Sequence, residues 1–318
     1  MIVSVVSMPE GVVARTALSE VKERLAAPDF VIVDIDQGED LPPDEEPLAR
    51  LLGLDDRAWE WLGRRDEPVR ADYREGVVGC VVPVIDGSDV KHIHVFASES
   101  HLVTIHHGPM GLIENFTGRL PEDMPSNGAT AVFLLLHGVL EAFRTAAAQA
   151  LLEVGEVEEE LFEGPASQHV HRLAELRRRA AQLHRAFLPY AAIAQERQAL
   201  NRIHERTVQL VMMEINSLRD ETRRAADTYA SLVADQQNLV INKLAIASVI
   251  FLPLSFLTGF FGMNFSYLSN NLSSEKTFLW LGIGMQVCAL AVAMYVVLYR
   301  THWRQLRDGR SHDSAAGD

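Results

Sequence analysis

The tripeptide Gly262-Met263-Asn264 carries the side chain of this sequence best suited to a hydrated metal ion. It follows directly after a long uncharged run, so it would lie at the carboxyl end of an apolar helix. Unpaired carbonyl groups give that end of a helix a partial negative charge, which attracts cations. The carbonyl oxygen of Asn264 can hydrogen-bond the water shell of Mg²⁺, an ion that dehydrates reluctantly. The residue types favour cation handling here, with a simple turn between helices as the plainer alternative.

A stripe of mostly small and polar residues leads back from this tripeptide along the preceding helical pattern. Its members recur every third or fourth residue, a spacing near 3.5 that keeps them on one face of a helix. They are Gly259, Ser255, Leu252, Ser248, Ala245, Ile241, Asn238, Ala234, Ser231 and Asp227. Within a membrane span, small and polar residues face protein or water rather than lipid. The stripe therefore predicts either a pore lining or a helix-packing surface, and Asp227 adds a carboxylate that could meet a cation.

Histidines and glutamates form two further groups that could hold a metal ion. His92 and His94 share one face of a predicted strand, and His106 and His107 follow nearby. Imidazole binds transition metals, but partly exposed histidines on strands are the commoner case. The glutamates of Glu153–Glu163 are likewise more typical of a solvated helix face.

Charge and motif content exclude several function classes. The formal net charge of −14 argues against a nucleic-acid partner, because phosphate binding needs clustered lysine and arginine. No glycine-rich Walker loop is present, so neither a nucleotide cofactor nor ATP-driven pumping is expected. The sequence also has no nucleophile–base signature, so we do not expect an enzyme. Two cysteines, Cys80 and Cys288, are too few for a disulfide framework.

Two uncharged runs, Leu244–Phe261 and Thr277–Tyr299, are long enough to cross a lipid bilayer. A helical span needs about 20 apolar residues. Two helices per chain cannot enclose a pore, so transport would require several identical subunits. The runs predict a multi-pass protein of the cell (inner) membrane.

Flanking charge predicts the orientation of these spans. Lys243 precedes the first, and an arginine-rich tail from Arg300 follows the second. The only charged residues of the connecting loop are Glu275 and Lys276. Positively charged segments stay on the cytoplasmic side, so both termini are expected in the cytoplasm.

The rest of the chain predicts an α+β cytoplasmic domain followed by long helices. Residues 1–125 mix strand-like runs rich in Val and Ile with helical patterns at Thr16–Ala27 and Glu46–Leu62. Residues 126–243 are expected to form a helical stalk, with a stop at Gly164-Pro165 and a last helix that continues into the membrane. Residues 244–318 would form a two-helix transmembrane hairpin with the Gly-Met-Asn loop and a basic C-terminal tail.

Phe261-Gly262-Met263-Asn264-Phe265 resembles the Tyr-Gly-Met-Asn-Phe signature of the CorA-type magnesium transporter family. Pro253-Leu254-Ser255 is similar to the family's Pro-Leu-Thr/Ser step, and the likeness extends to the acidic Glu153–Glu163 run and the arginine-rich His169–Arg185 helix. The resemblance implies a funnel-shaped homopentamer in which the first membrane helices line the pore and Gly262-Met263-Asn264 forms the selectivity motif. The implied pore-lining residues are Asn238, Ile241, Ala245, Ser248, Leu252, Ser255 and Gly259.

The same resemblance implies regulation by cytoplasmic Mg²⁺ bound between subunits. By position, Asp227 matches the family's carboxylate on the long helix, and Asp86 resembles its partner from the neighbouring soluble domain. An aspartate that ends a strand at a turn is the plainer interpretation of Asp86.

Two departures from the family pattern leave the transported ion open. Phe261 replaces the signature tyrosine, and the loop Ser266–Asn271 lacks the usual acidic element. We expect passive Mg²⁺ transport through a homo-oligomeric pore gated by cytoplasmic Mg²⁺. The alternatives are a Zn²⁺, Co²⁺ or Ni²⁺ transporter of the same architecture, and a membrane-tethered sensor that conducts nothing.

Overall fold

A computed structural model describes most of the chain. The described residues are 1–38, 48–54, 59–64, 67–74, 76–87, 89–196, 202–263, 276 and 279–295. They belong to two compact units, Met1–Tyr229 and Ala230–Asp318.

The first unit contains a mixed seven-stranded sheet. Its strands are β1 (Ile2–Ser7), β2 (Val12–Arg15), β3 (Val31–Asp36), β4 (Arg70–Arg74), β5 (Val77–Asp86), β6 (Asp89–Ala97) and β7 (His101–His106). They follow the spatial order β2-β1-β3-β7-β6-β5-β4, and the pairing of β3 with β7 is parallel while the other pairings are antiparallel. The predicted α+β class is confirmed.

One face of the sheet is covered by short helices and a tryptophan-rich segment. Helix α1 (Leu18–Leu25) lies where the sequence predicts it. The helix predicted over Glu46–Leu62 is wrong as a single element, because α2 covers only Leu48–Leu51. Gly53 has a φ of +76°, a left-handed conformation that ends the helix. Beyond it, Trp59, Trp61 and Leu62 are buried against the sheet.

Long helices follow the sheet, as predicted. After α3 (Gly111–Asp123) come α4 (Gly128–Glu163), α5 (Ser167–Glu196) and α6 (Arg202–Phe261). The side chain of Asn127 accepts a hydrogen bond from the Thr130 amide and so caps α4 at its start. At the other end, Gly164 terminates α4 before Pro165. Phe143 of α4 and Phe187 of α5 lie in contact in the core, with ring centroids 5.0 Å apart.

The second unit contains the carboxyl-terminal part of α6, a π-helical turn at Leu279–Gly284 and helix α7 (Met285–Tyr295). Of the described helices, His204–Phe260 and Gly128–Glu163 are long and apolar enough to cross a membrane. Half of the apolar window of Gly128–Glu163 is buried, which is typical of a core helix, whereas none of the window in His204–Phe260 is buried. Thr277, Phe278 and residues 296–299 of the predicted second span lie outside the described residues.

The predicted boundaries 1–125, 126–243 and 244–318 stay a prediction. The start of α4 at Gly128 lies close to the first of them.

Candidate functional site

The end of α6 forms the base of the Gly-Met-Asn motif. The Gly262 amide donates to the Thr258 carbonyl at 2.9 Å, and the Met263 amide donates to the Phe260 carbonyl at 3.3 Å. A Cβ at position 262 would lie 3.2 Å from the Thr258 oxygen, which is closer than most side chains tolerate. Glycine therefore favours this close approach to a carbonyl, and it is not needed for a left-handed turn, because Gly262 has no positive φ. Asn264 lies outside the described residues.

The seven residues predicted to line a pore are all exposed within the single chain. They are Asn238, Ile241, Ala245, Ser248, Leu252, Ser255 and Gly259. Leu252 keeps 75% of its surface exposed and Ile241 keeps 61%, although both are apolar. The Ser248 hydroxyl donates to the Leu244 carbonyl at 2.9 Å, so its proton is satisfied within the helix. This face therefore needs a cover that one chain does not provide, either water in a pore or another subunit.

The opposite face of α6 is partly covered. Ile250, Leu254 and Leu257 recur at helical spacing and are half-buried. At about 100° per residue they lie nearly opposite the stripe of Leu252, Ser255 and Gly259. The chain thus leaves the polar stripe free and covers part of the apolar side.

Helix α7 has a matching face of small residues. Ala289 is half-buried and Ala293 is buried, while Gln286 on the same face hydrogen-bonds to Thr258 of α6. Small residues let two helix backbones approach closely in a membrane. Thr258, the α6 partner in this contact, lies about 100° around the helix from Gly259 of the stripe.

Asp227 and Asp86, the two predicted regulatory ligands, lie in different environments. Asp227 is exposed on α6, and no ion pair is recorded for it among the described residues. Asp86 ends β5 and pairs with the Lys91 ammonium at 2.6 Å. The hydrogen bond from Lys91, assisted by the Gly111 amide, holds the pKa of Asp86 below its usual value. Asp227 is available to bind a cation, whereas Asp86 is already paired with the ammonium group of Lys91.

The strand histidines are held by hydrogen bonds inside the domain. His94 is buried and its Nδ1 accepts from the Gly63 amide at 3.1 Å. Burial, with smaller contributions from His107 and His92, lowers the pKa of His94 to about 4. His106 is buried on the other face and contacts Asp34 at 3.3 Å. Burial lowers the pKa of His106, but the hydrogen bond and charge of Asp34, the Gly108 carbonyl and the charge of Asp36 together outweigh burial, so the net pKa is raised.

The glutamate run of α4 pairs with the arginines of α5. Arg172 contacts Glu160 at 2.7 Å and Arg179 contacts Glu153 at 3.0 Å. These carboxylates already have cationic partners. Across the part of the chain that the structure describes, no group of three or more His, Cys, Asp or Glu side chains is arranged to hold a metal ion.

The family model described as CorA-like Mg²⁺ transporter protein matches residues 29–300, which include strands β3 to β7, helices α2 to α7 and both apolar segments. The chain belongs to the CorA-like Mg²⁺ transporter protein family. The resemblance stated from the Gly-Met-Asn motif is confirmed.

Relatives of this CorA-like chain agree with the architecture. It is 28% identical over 129 residues to the cobalt/magnesium transport protein CorA of Thermotoga maritima, a match covering 36% of each chain. The matched stretches span between 27% and 36% of the length of the curated relatives. The complete structure of the CorA magnesium transporter from Methanocaldococcus jannaschii superimposes with a TM-score of 0.68 at 16% identity, over 93% of this chain and 97% of that one. The full-length CmaX protein gives 0.66 at 18% identity, over 96% and 97%.

Two contacts of this CorA-like chain were not predicted from its sequence. One is the pairing of Lys91 with Asp86, and the other is the hydrogen bond from Gln286 to Thr258. A lone amide within an otherwise apolar span was the available signal for Gln286, because such a group normally finds a partner.

Proposed function

We propose that this protein is a passive pathway for Mg²⁺ across the cell membrane, formed by several copies of the chain. The observation that carries the proposal is the apolar end of α6. Its small, polar stripe is exposed, its other side is partly covered, and it ends at Gly262-Met263. Membership of a family described as Mg²⁺ transporters supports the choice of ion.

The proposed pore is a homopentamer in which α6 of each subunit lines the pathway. The residues proposed to line it are Asn238, Ile241, Ala245, Ser248, Leu252, Ser255 and Gly259. A wall of hydroxyl, amide and aliphatic groups offers no charged ligand, so a hydrated ion would pass without being held. At the outer end, Gly262-Met263-Asn264 would present oxygen groups that suit the water shell of Mg²⁺.

The membrane potential can drive this transport without ATP. Moving one charge across 100 mV is worth about 2.3 kcal/mol, so a divalent ion gains about 4.6 kcal/mol. Both termini are proposed to lie in the cytoplasm, as the flanking charges predict.

Regulation by cytoplasmic Mg²⁺ is the second part of the proposal. Asp227 is exposed and free to bind a cation, and Asp86 of a neighbouring subunit would complete the site in competition with Lys91. We propose that such a site takes its carboxylates from more than one subunit. Mg²⁺ bound there would offset repulsion between subunits and stabilise the closed state.

Ion flux into liposomes that contain only the purified protein tests the proposal. Mg²⁺ entry should be recorded with an internal indicator under an inside-negative potential, beside parallel arms with Co²⁺, Ni²⁺ and Zn²⁺. We expect Mg²⁺ flux, and native mass spectrometry should give five copies. Co²⁺ is the strongest rival, because the Thermotoga maritima relative is described as a cobalt/magnesium transport protein. Ready Zn²⁺ flux with hardly any Mg²⁺ flux would overturn the ion assignment, and no flux of any ion would favour a sensor.

A further inference from the structure

Within the described residues, Thr258 hydrogen-bonds the second membrane helix to the last turn of the first. Gln286 Nε2 of α7 donates to Thr258 Oγ1 at 3.3 Å. The same hydroxyl donates its proton to the Leu254 carbonyl at 2.7 Å. The carbonyl of Thr258 accepts the Gly262 amide at 2.9 Å. Thr258 therefore accepts two hydrogen bonds on different atoms, one from α7 on its hydroxyl and one from the glycine of the Gly-Met-Asn motif on its carbonyl.

The donor and acceptor roles of the Thr258 hydroxyl and the Gln286 amide are consistent with each other. A hydroxyl has one proton, and that of Thr258 is used on Leu254, so its oxygen is free to accept. The Gln286 amide can only donate to it. In an apolar surrounding, an amide that lacks a partner carries a large desolvation cost, so the pairing is favoured.

Position 286 is where the covered face of α7 offers a polar group. The other covered residues on that face, Ala289 and Ala293, have methyl side chains and contribute packing alone. Packing of small residues permits one helix to slide along another, whereas a hydrogen bond fixes one register. Gln286 thus sets which turn of α6 lies beside which turn of α7.

We propose that Gln286 is a positioning residue for the outer mouth, acting through Thr258 to hold the end of α6 at Gly262. The inference rests on the proposed transport function. Without this bond, the last turn of α6 loses one contact to α7, and the hydrogen bond from the Gly262 amide to the Thr258 carbonyl breaks more often. The motif beyond Gly262 would then take its working geometry for less of the time, so maximum flux falls while the ion-binding groups themselves are unchanged.

Four single variants of the full-length protein and one double variant test this. Gln286→Leu and Thr258→Val each remove the bond with little change in volume, and the double variant completes the cycle. Thr258→Ser keeps the hydroxyl, so its Gly262 amide exchange and its Mg²⁺ flux should match those of the wild type. Met285→Leu is the matched control, since it changes the neighbouring residue of α7 without touching the bond.

Hydrogen exchange at the Gly262 amide reads the positioning directly and needs no transport. We expect exchange about three- to tenfold faster in either bond-removing variant, as loss of one interhelical hydrogen bond allows. The double variant should be no faster than either, because each removes the same contact. Maximum Mg²⁺ flux in liposomes should fall by a similar factor, with the half-saturating concentration within about twofold of wild type.

Each outcome decides between the proposals. Wild-type exchange in Gln286→Leu, or additive effects in the double variant, would overturn the positioning role. If the exchange cycle behaves as expected while the wild-type protein carries no ion, the positioning role stands and the transport function fails. Should Gln286→Leu not assemble, Thr258→Val removes the bond from the other side, and wild-type exchange there would equally overturn the role.

Discussion

The two compact units of this chain differ in how far their apolar side chains are buried. In Met1–Tyr229, strands β3, β5, β6 and β7 are mostly buried, and buried polar groups such as Thr104 and His106 have partners within the domain. In Ala230–Asp318, large apolar residues including Phe251 and Phe256 are more than 70% exposed.

The difference shows where each unit obtains its stability. The first buries its own core and pairs buried polar groups such as Thr104 and His106 within the domain, which lowers the cost of burying them. The second leaves an apolar surface that no soluble monomer keeps uncovered, so its cover comes from lipid or from other subunits. Function that depends on the first unit should respond to protonation and ion pairs, and function that depends on the second to single groups along the pathway.

The largest effect is expected at the mouth of the second unit. Asn264→Ala removes the side-chain carbonyl proposed to hydrogen-bond the water shell of Mg²⁺. Loss of an outer-sphere partner of a metal ion costs on the order of 100-fold in affinity or activity, so flux should be nearly abolished. Liposome flux measures the effect, and native mass spectrometry checks that the oligomer still assembles.

Asn270→Ala serves as the matched control, because it removes an equal amide from the loop beyond the motif. Normal uptake by an assembled Asn264→Ala oligomer would contradict the assignment of the selectivity motif.

The next largest effect is a loss of stability of the first unit at acidic pH. The folded pKa of His94 is about 4 against an ordinary value of 6.5, because the imidazole is buried. As pH falls from about 6.5 towards 4, the unfolded chain takes up a proton that the folded domain refuses, so stability is lost over that window. The difference of pKa corresponds to about 3 kcal/mol at the acid end. His94→Gln should remove that part of the loss.

Thermal unfolding followed by tryptophan fluorescence provides the measurement, since the ring of Trp61 lies 6.2 Å from that of His94. The quantity to compare is the change of midpoint between pH about 7.5 and about 4.5, in wild type and variant. His171→Gln, at an exposed position of α5, is the control. An equal acid loss in His94→Gln and wild type would show that other groups govern acid unfolding.

Local patterns predicted the helices well, because the residues that decide them are close in sequence. Gly164-Pro165 ends α4, and apolar periodicity follows α6 through Phe261. The stripe on α6 could be recognised in the sequence for the same reason, because residues on one face of a helix recur every three or four positions. The failure at Glu46–Leu62 came from one local feature, Gly53, whose φ of +76° an amphipathic pattern does not reveal.

The unpredicted contacts are those whose partner lies on another element. Gln286 is 28 residues from Thr258, and its contact depends on the register between two helices. Lys91 meets Asp86 across a hairpin, and its place on the sheet depends on how β5 and β6 pair. Periodicity gives the face of a residue, but it does not say which residue lies opposite.

A smaller effect concerns regulation across subunits. Asp227→Ala removes an exposed carboxylate proposed to bind regulatory Mg²⁺, without leaving a buried partner unpaired. Inhibition by internal Mg²⁺ should weaken, with the half-inhibitory concentration raised about tenfold, as loss of one charged ligand allows. Flux at graded internal Mg²⁺ measures it, and Asp235→Ala, eight residues along the same helix, controls for helix charge. Unchanged inhibition would place the sensor elsewhere.

The smallest effect should have the opposite sign and arises at Lys91. Its ammonium contacts Asp86 at 2.6 Å and also donates to the Pro109 carbonyl at 2.9 Å, so it occupies the carboxylate that regulatory Mg²⁺ would need. Lys91→Met keeps the aliphatic stem and removes the competing charge. A partly exposed ion pair is worth up to about 1 kcal/mol, so the half-inhibitory Mg²⁺ concentration should fall about three- to fivefold.

Lys22→Met, at an exposed position of α1, is the control for net charge. If Lys91→Met weakens inhibition instead, the ammonium organises the loop around Asp86 and does not compete with Mg²⁺; if inhibition is unchanged, Asp86 is not a ligand.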